Sequence, residues 1–212
     1  SSAASDVYKR QMNDGVALNA QTDLLPICGM DEHMDTGTFL QILANETGEK
    51  PEDILCFDLS VYHYAEPVRT GFSGDMFMAP RIDNISSVQA CLTGLIEANP
   101  SDGISVAVLF DHEEIGSRSK NGANGNLLSY TLERICNAIN ISRENFLQSL
   151  VHSYYLSLDV AHAIHPAHPE KSDITSAMPL NRGFAIKASA KHAYCSDDDM
   201  TGVILQLAAR HH

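Results

Sequence analysis

Apolar residues before about residue 79 follow a pattern that predicts strands around a single helix. The helix is predicted over residues 36–47, because its apolar residues follow helical spacing and Gly48 provides a stop. Residues 53–64 alternate between apolar and polar side chains, which predicts a half-buried strand. The apolar side chains on one face of this strand are Leu55, Phe57, Leu59 and Val61.

From residue 79 onward the pattern alternates between helices and short apolar runs. Apolar stripes at helical spacing predict helices at residues 84–99, 128–139, 142–151 and 197–208. Short apolar runs predict strands at residues 104–110, 154–158 and 183–189. Strands that alternate with helices are typical of an α/β fold, so we expect a mixed, largely parallel sheet flanked by helices.

Composition and charge exclude some classes of partner and indicate a cellular location. The chain has 212 residues, with 14 Lys and Arg against 27 Asp and Glu, and this acidic balance argues against nucleic acid or a membrane surface as a partner. No apolar run approaches the length of a membrane-spanning helix. The five cysteines form no Cys-x-x-Cys pair, so we expect buried thiols in a reducing compartment and a cytoplasmic location.

Carboxylates stand where the predicted strands end. Glu113 and Glu114 come after the run at 104–110, Asp159 follows the run at 154–158, and Asp83 lies between a short strand and a helix start. Ligands of open α/β sheets gather beyond the carboxyl ends of the strands, so these acids are expected to converge. Together they could hold two divalent cations and leave one carboxylate free as a base. The alternative is that they are helix caps and loop residues without a metal.

Histidines near Asp159 add to this candidate site. A neutral imidazole at His165 could ligate a metal or donate a hydrogen bond to a developing oxyanion. For His162 we favour a loop residue satisfied by the backbone. The segment at 112–116 is not His-Glu-x-x-His, which excludes a single-zinc helix site there, and no Cys₄ or Cys₂His₂ spacing occurs.

Three motifs, taken in this order, resemble the aspartyl aminopeptidase (M18) family of metallopeptidases. They are APRIDN at residues 79–84, FDHEEIGS at 110–117 and SLDVAHAIHP at 157–166. Residues 57–60 and 183–187, with Tyr194, agree with the same family. The resemblance covers about residues 16–210. It implies a zinc-exopeptidase-like fold with part of an inserted β-rich lid or dimerisation domain.

The resemblance also implies an activity and a set of metal ligands. The activity is the release of single N-terminal residues from peptide substrates, with acidic residues (Asp or Glu) preferred. Two zinc ions are implied for the complete protein. Asp83 is similar to the carboxylate that bridges the two ions, Glu114 to a ligand of one ion, and Asp159 to a ligand of the other.

Other residues of the motifs resemble the family's catalytic and substrate-binding groups. Glu113 matches the general base, which would take a proton from water and pass it to the leaving amine. His165 is similar to the histidine that steadies the tetrahedral intermediate. Lys187 and Tyr194 resemble residues of the substrate pocket.

The resemblance divides the chain into three parts. Residues 1–11 are small, polar and patternless, and we expect them to be non-native or disordered. Residues 12–72 are expected to form the end of the lid or dimerisation domain and its connection, and residues 73–212 the central part of the catalytic domain.

Family members carry one metal-binding histidine further upstream and another further downstream than this chain extends. We therefore expect an internal fragment that binds zinc weakly and has little or no peptidase activity. The complete protein is expected to be a homo-oligomer.

Two alternatives stay open. One is a related M42-type metallo-aminopeptidase, which would differ in its substrate profile. The other is a non-catalytic scaffold with the same fold. Against it stands the joint presence of Asp83, Glu113, Glu114 and Asp159.

Overall fold

The structure is a computed structural model that describes residues 15–30, 33–100, 102–190, 194 and 196–211. By its packing the chain divides into two units, Ser1–Glu66 and Pro67–His212. The segment predicted to be non-native or disordered, residues 1–11, lies outside the described residues. The assignment of residues 12–72 to a lid stays a prediction.

The first unit contains helix α1, Thr36–Thr47, at the predicted place. Asp35 caps its first turn, since the Asp35 carboxylate accepts a hydrogen bond from the Thr38 N–H at 2.8 Å. Gly48 ends the helix in the left-handed conformation at φ 75°, as its sequence position predicted. Ala44 of α1 is 1% exposed. The helix therefore has a defined start, a defined end and one fully packed position.

The strand predicted at 53–64 is not formed. Pro51–Asp53 is a short 3-10 helix, and residues 54–64 form neither a helix nor a paired strand. The ring of Phe57 contacts the ring of Phe39 on α1 edge to face, with centroids 5.7 Å apart. The apolar side of this segment is thus used in part against a helix, while Leu55 is 92% exposed.

The second unit begins with a hairpin of two short strands. Strand β1, Val68–Thr70, pairs antiparallel with β2, Met76–Met78, in the register Val68 with Met78. This pair is the only sheet among the described residues. It leads directly into the first helix of the unit.

All four helices predicted for the second unit are present. They are α2, Ile82–Glu97; α3, Leu127–Ala138; α4, Arg143–Val151; and α5, Asp198–Arg210. A 3-10 helix, Pro169–Lys171, lies between α4 and α5. The side chains of Ser142 and Asp197 cap α4 and α5, as expected from their places in the sequence. Helices α3 and α4 pack together, and Cys136 and Phe146 are buried there.

The predicted parallel sheet is not observed. In the part of the chain that the structure describes, residues 104–110, 154–158 and 183–189 form no hydrogen-bonded strands. A short apolar run favours extended backbone, but a strand forms only where a neighbour completes its ladder of hydrogen bonds. Beyond the run at 154–158, the Ile164 N–H donates to the Met178 carbonyl of a loop at 2.8 Å.

Of the four cysteines that the structure describes, only Cys136 meets the expectation of burial, and the fifth, Cys195, lies outside the described residues. Cys28 and Cys56 are exposed, Cys91 is half-buried and Cys136 is buried, and all four are free thiols. No helix in the described ranges is long and apolar enough to cross a membrane.

Candidate metal and substrate site

Asp83 lies at the start of α2, immediately after the β1–β2 hairpin. Arg81 has a left-handed backbone at φ 59°, and Asp83 and Asn84 have non-helical angles within the bounds of α2. The regular helix begins at Ile85, whose N–H donates to the Arg81 carbonyl at 3.1 Å. Asp83 is exposed and sits between a strand and a regular helix, which is the place that the sequence predicted for it.

Glu113 and Glu114 occupy a tight turn after the apolar run at 104–110. The Gly116 N–H donates to the Glu113 carbonyl, and the Ser117 N–H to the His112 carbonyl, both at 2.9 Å. Both glutamate side chains are exposed. The turn therefore fixes the backbone of the two acids and leaves their carboxylates accessible.

His112 ties this turn to the loop that follows it. Its ring Nδ1 lies 2.6 Å from the Ser119 hydroxyl oxygen, and its backbone N–H donates to the Asp111 carboxylate at 2.8 Å. The Asp111 N–H in turn donates to the Asn121 carbonyl at 3.2 Å. These contacts link the two ends of residues 111–121. The two glutamates therefore lie in a loop that hydrogen bonds close at its ends.

Gly122 lets the loop fold closely upon itself. A Cβ atom at this position would lie 2.3 Å from the carbonyl oxygen of Ser117. That same carbonyl accepts a hydrogen bond from the Asn124 N–H at 3.1 Å. Only glycine permits such a close approach of two backbone segments.

Asp159 and Lys187 form an ion pair across 28 residues of sequence. The Lys187 Nζ donates to the Asp159 Oδ2 at 2.8 Å, and the other carboxylate oxygen accepts from the Val160 N–H at 2.8 Å. The Lys187 side chain is 32% exposed and that of Asp159 is 52% exposed. Both oxygens of the predicted metal ligand are thus already engaged.

The pKa shifts of Asp159 and Lys187 have the same main cause, which is the hydrogen bond between them. The hydrogen bond from Lys187 is the main cause that lowers the pKa of Asp159. The hydrogen bond to Asp159 is the main cause that raises the pKa of Lys187, and the charges of Tyr194 and Asp83 add to that rise. Asp159 and Lys187 are therefore both charged at neutral pH, and Asp83 is close enough for its charge to act on Lys187.

A second contact holds Lys187 by its backbone. The Ser196 hydroxyl donates to the Lys187 carbonyl at 2.9 Å. Ser196 directly precedes Asp197, the residue that caps α5. The start of α5 therefore anchors the segment that carries the lysine.

His165 is held by the turn that follows it. Its Nδ1 accepts a hydrogen bond from the Ala167 N–H at 3.1 Å, and its carbonyl accepts from the His168 N–H at 2.9 Å. A neutral imidazole that accepts at Nδ1 carries its proton on Nε2. Exposed His165 can therefore act as a donor through Nε2.

The donor chemistry of the predicted ligands suits zinc, but their arrangement does not. Within the described ranges, no three His, Cys, Asp or Glu side chains come together as a group able to hold a metal ion. The structure joins Asp159 to Lys187 and places Asp83 near that lysine, and among the described residues Asp83, Glu114 and Asp159 do not form one metal-holding group. Carboxylates repel one another unless a cation lies between them, and here the cation beside Asp159 is a lysine.

Comparisons with known proteins decide the family. The family model described as Aminopeptidase I zinc metalloprotease (M18) matches residues 7–212. The chain belongs to the M18 family. A probable M18 family aminopeptidase 2 of Clostridium novyi is 38% identical to this M18 chain over 203 residues, which are 95% of the chain and 47% of the relative. The chain thus spans about half the length of this curated relative.

Solved structures support the same fold. The cryo-EM structure of the Ape4 and Nbr1 complex matches 95% of this M18 chain and 43% of the compared chain, with a TM-score of 0.74 and 27% identity. The crystal structure of yeast aminopeptidase 1 (Ape1) matches 81% of this chain and 41% of its own, with a TM-score of 0.70 and 26% identity. The chain therefore follows the path of M18 aminopeptidases, consistent with the predicted α/β class.

The sequence patterns did not single out the residues that hold the backbone segments of the candidate site in place. Ser119, Gly122 and Ser196 bond to, or pack against, the segments that carry Glu113 and Lys187. None of the three stands in a motif with a chemical signature of its own. The glycine- and serine-rich composition of residues 116–125 was the one available signal, because such loops can fold tightly.

Proposed function

We propose that the protein to which this chain belongs is a zinc-dependent aminopeptidase that releases N-terminal acidic residues from peptides. In this proposal it uses a two-metal site with Asp83, Glu114 and Asp159 among the ligands. The observation that carries the proposal is the match of the M18 zinc metalloprotease family across residues 7–212. The same range contains every carboxylate that the motifs assign to the site.

Glu113 is proposed as the general base. Its backbone is held in the turn at 113–116, while its side chain is exposed and able to reach a water molecule. It would accept the proton of the attacking water and pass it to the amine that leaves when the peptide bond breaks. Zinc would supply the Lewis acidity for this hydrolysis.

His165 and Lys187 are proposed to act on the substrate. The Nε2–H of His165 would donate a hydrogen bond to the oxygen that becomes negative in the tetrahedral intermediate. The charge of Lys187, with Tyr194 nearby, would attract the carboxylate side chain of an acidic N-terminal residue. A substrate with a neutral side chain would gain nothing from this lysine.

The 212-residue chain alone is proposed to bind zinc weakly and to have little or no activity. The basis in the structure is that no metal-holding group of three side chains forms within the described residues. We also propose that the complete protein is a cytoplasmic homo-oligomer.

Glu113→Gln in the full-length protein tests the base. Glutamine keeps the size of the side chain but cannot accept the proton, so turnover of an aspartyl nitroanilide should fall about 100-fold or more. Zinc content, measured by elemental analysis, should be unchanged. The control is Glu97→Gln at the exposed end of α2, which should retain full turnover.

The outcomes of this experiment separate the proposals. Turnover that survives Glu113→Gln would show that another group is the base. A full-length protein without turnover on any aminoacyl nitroanilide would support the non-catalytic scaffold. Faster turnover of a leucyl than of an aspartyl substrate would refute the acidic specificity and favour a profile of the M42 type.

A further inference from the structure

We propose that Asn124 is the preferred site of spontaneous deamidation in this chain, and that the reaction opens the turn between Gly122 and Gly125. The chain contains two Asn-Gly pairs, Asn121-Gly122 and Asn124-Gly125, and both stand in the loop that follows the two glutamates. Water is the co-reactant, and the products are aspartate or isoaspartate together with ammonia. The proposal does not depend on the peptidase activity.

An Asn-Gly pair offers little steric hindrance to this reaction. The backbone nitrogen of the glycine attacks the side-chain carbonyl carbon of the asparagine, and glycine has no Cβ atom that would block the approach. A C–N bond forms, the bond to the side-chain nitrogen breaks, and the glycine N–H proton leaves with that nitrogen as ammonia. Water then opens the succinimide ring. Its addition at the side-chain carbonyl gives aspartate, whereas its addition at the backbone carbonyl gives isoaspartate.

The packing of the two glycines distinguishes the two pairs. Both asparagine side chains are exposed, so water reaches both. Gly122 is buried, and a Cβ atom there would lie 2.3 Å from the Ser117 carbonyl oxygen. Gly125 is half-buried, and the nearest atom to a Cβ there, the Lys120 carbonyl oxygen, would lie at 3.0 Å. The backbone of the second pair therefore has more room to turn its nitrogen toward the side chain.

The hydrogen bonds of the two pairs favour the same site. The Asn121 carbonyl accepts from the Asp111 N–H at 3.2 Å. The Gly122 N–H donates to the Ser119 carbonyl, also at 3.2 Å, so the first pair is held on both sides of its peptide bond. In the second pair the Gly125 N–H donates to the Gly122 carbonyl at 3.0 Å. The asparagine carbonyl of that pair accepts no backbone hydrogen bond within the described ranges.

Isoaspartate at position 124 would disturb the turn that contains it. Its main chain runs through the side-chain carbon atoms, which inserts one more carbon before Gly125 and leaves a free carboxylate. The bond from the Gly125 N–H to the Gly122 carbonyl cannot keep its geometry across this longer link. The carbonyl oxygens of Ser119 and Lys120 lie beside Gly125, and a new negative charge near them is unfavourable. We therefore expect residues 119–122 to loosen.

Timed deamidation of the unaltered 212-residue chain tests the site. The folded chain would be kept in mildly alkaline buffer, and samples would be denatured and digested with trypsin. The digest releases residues 121–134 as one peptide, in which fragmentation by mass spectrometry separates the two asparagines. Asn124 should react at least about five times faster than Asn121, because Asn121 has to wait for the loop to open. Equal rates, or a faster Asn121, would overturn the proposal.

The same chain in guanidinium chloride is the matched control. Both asparagines precede a glycine, so their rates should come within about two-fold of each other once the structure is lost. Asn126 in the same peptide precedes Leu127 and should stay unmodified in both conditions. A chain that deamidates at Asn124 only in guanidinium chloride would show that the folded loop protects both pairs, which contradicts the proposal.

Limited digestion of the folded chain tests the opening of the turn. Brief exposure to trypsin should cut after Lys120 at least about three times faster in chain enriched in isoaspartate than in fresh chain. Asn124→Gln, aged in the same way, should keep the fresh rate, because glutamine forms the corresponding six-membered ring far more slowly. Asn124→Asp adds the charge without the extra main-chain carbon and should stay within about two-fold of the fresh rate. Unchanged cleavage in the isoaspartyl chain would refute the opening.

Discussion

At the scale of single residues, the loop that carries the two glutamates depends on the absence of a side chain. Gly122 lies against the carbonyl of Ser117, which leaves no room for a methyl group. The backbone conformation of the turn at 113–116 therefore depends on a residue several positions away that has no reactive side chain. Small residues of this kind support a site without touching its ligands.

Gly122→Ala should therefore destabilise the chain. We expect a loss of about 1–3 kcal/mol in the free energy of unfolding, because the loop must shift to accept the methyl group. Chemical denaturation followed by circular dichroism would measure it. The control is Gly202→Ala in α5, where nothing lies within 4 Å of the added atom. That change should stabilise the helix by up to about 1 kcal/mol, and equal effects of the two variants would contradict the steric argument.

The identities of the candidate site residues were readable from the sequence, but their partners were not. Motif order was enough to single out Asp83, Glu113, Glu114, Asp159, His165, Lys187 and Tyr194. The pairing of Asp159 with Lys187 is set by how two distant segments meet, and no local pattern encodes such a meeting. The same limit applies to the contact of His112 with Ser119, since both ends lie in irregular loop.

At the scale of elements, the helices were predicted far better than the strands. A helix satisfies its own backbone, so caps such as Asp35, Ser142 and Asp197 define its start within a few residues of sequence. A strand needs a partner from elsewhere in the chain. The runs at 104–110 and 154–158 have the composition of strands, and the structure shows neither a helix nor a paired strand in them.

The start of α1 should respond to acid through Asp35. Hydrogen bonds from Thr38 lower the pKa of this carboxyl below its ordinary value of 3.8. The contribution of the cap is therefore fully present above pH 3.8 and is lost as the pH falls through the lower, folded-state value. The amide resonance of Thr38, followed by NMR, should titrate with a midpoint below 3.8.

Asp35→Asn is the control for this titration. Asparagine can still accept the hydrogen bond from Thr38, but it does not ionise in this range. The Thr38 resonance should then stay constant between pH 5 and 2, within the range where α1 remains folded. A midpoint at or above 3.8 in the unaltered chain would mean that the cap is not formed.

At the scale of the whole molecule, the last part of the first unit contains a stretch without a helix or a paired strand. Residues 54–64 belong to the first unit, and their backbone lacks the ladder of hydrogen bonds that protects a helix or a paired strand. Tyr64 there is 87% exposed. Tyr130 offers a matched comparison, since it is 62% exposed but lies within α3.

Chymotrypsin should distinguish these two tyrosines. A protease needs a backbone that is free of helical hydrogen bonds, which Tyr64 already offers and which Tyr130 reaches only when α3 opens. We expect cleavage after Tyr64 at least about ten times faster than after Tyr130, measured by mass spectrometry of a timed digest. Tyr64→Ser should remove the early product, and faster cleavage at Tyr130 would show that α3 is the less stable element.

The exposed thiols of Cys28 and Cys56 have a consequence for any zinc titration of this chain. Thiolate sulfur is a softer donor than carboxylate oxygen, and zinc accepts both. Cys28 and Cys56 lie in the first unit, whereas Asp159 and Lys187 lie in the second. A background with both cysteines replaced by serine would remove the sulfur donors of these two exposed positions from the titration.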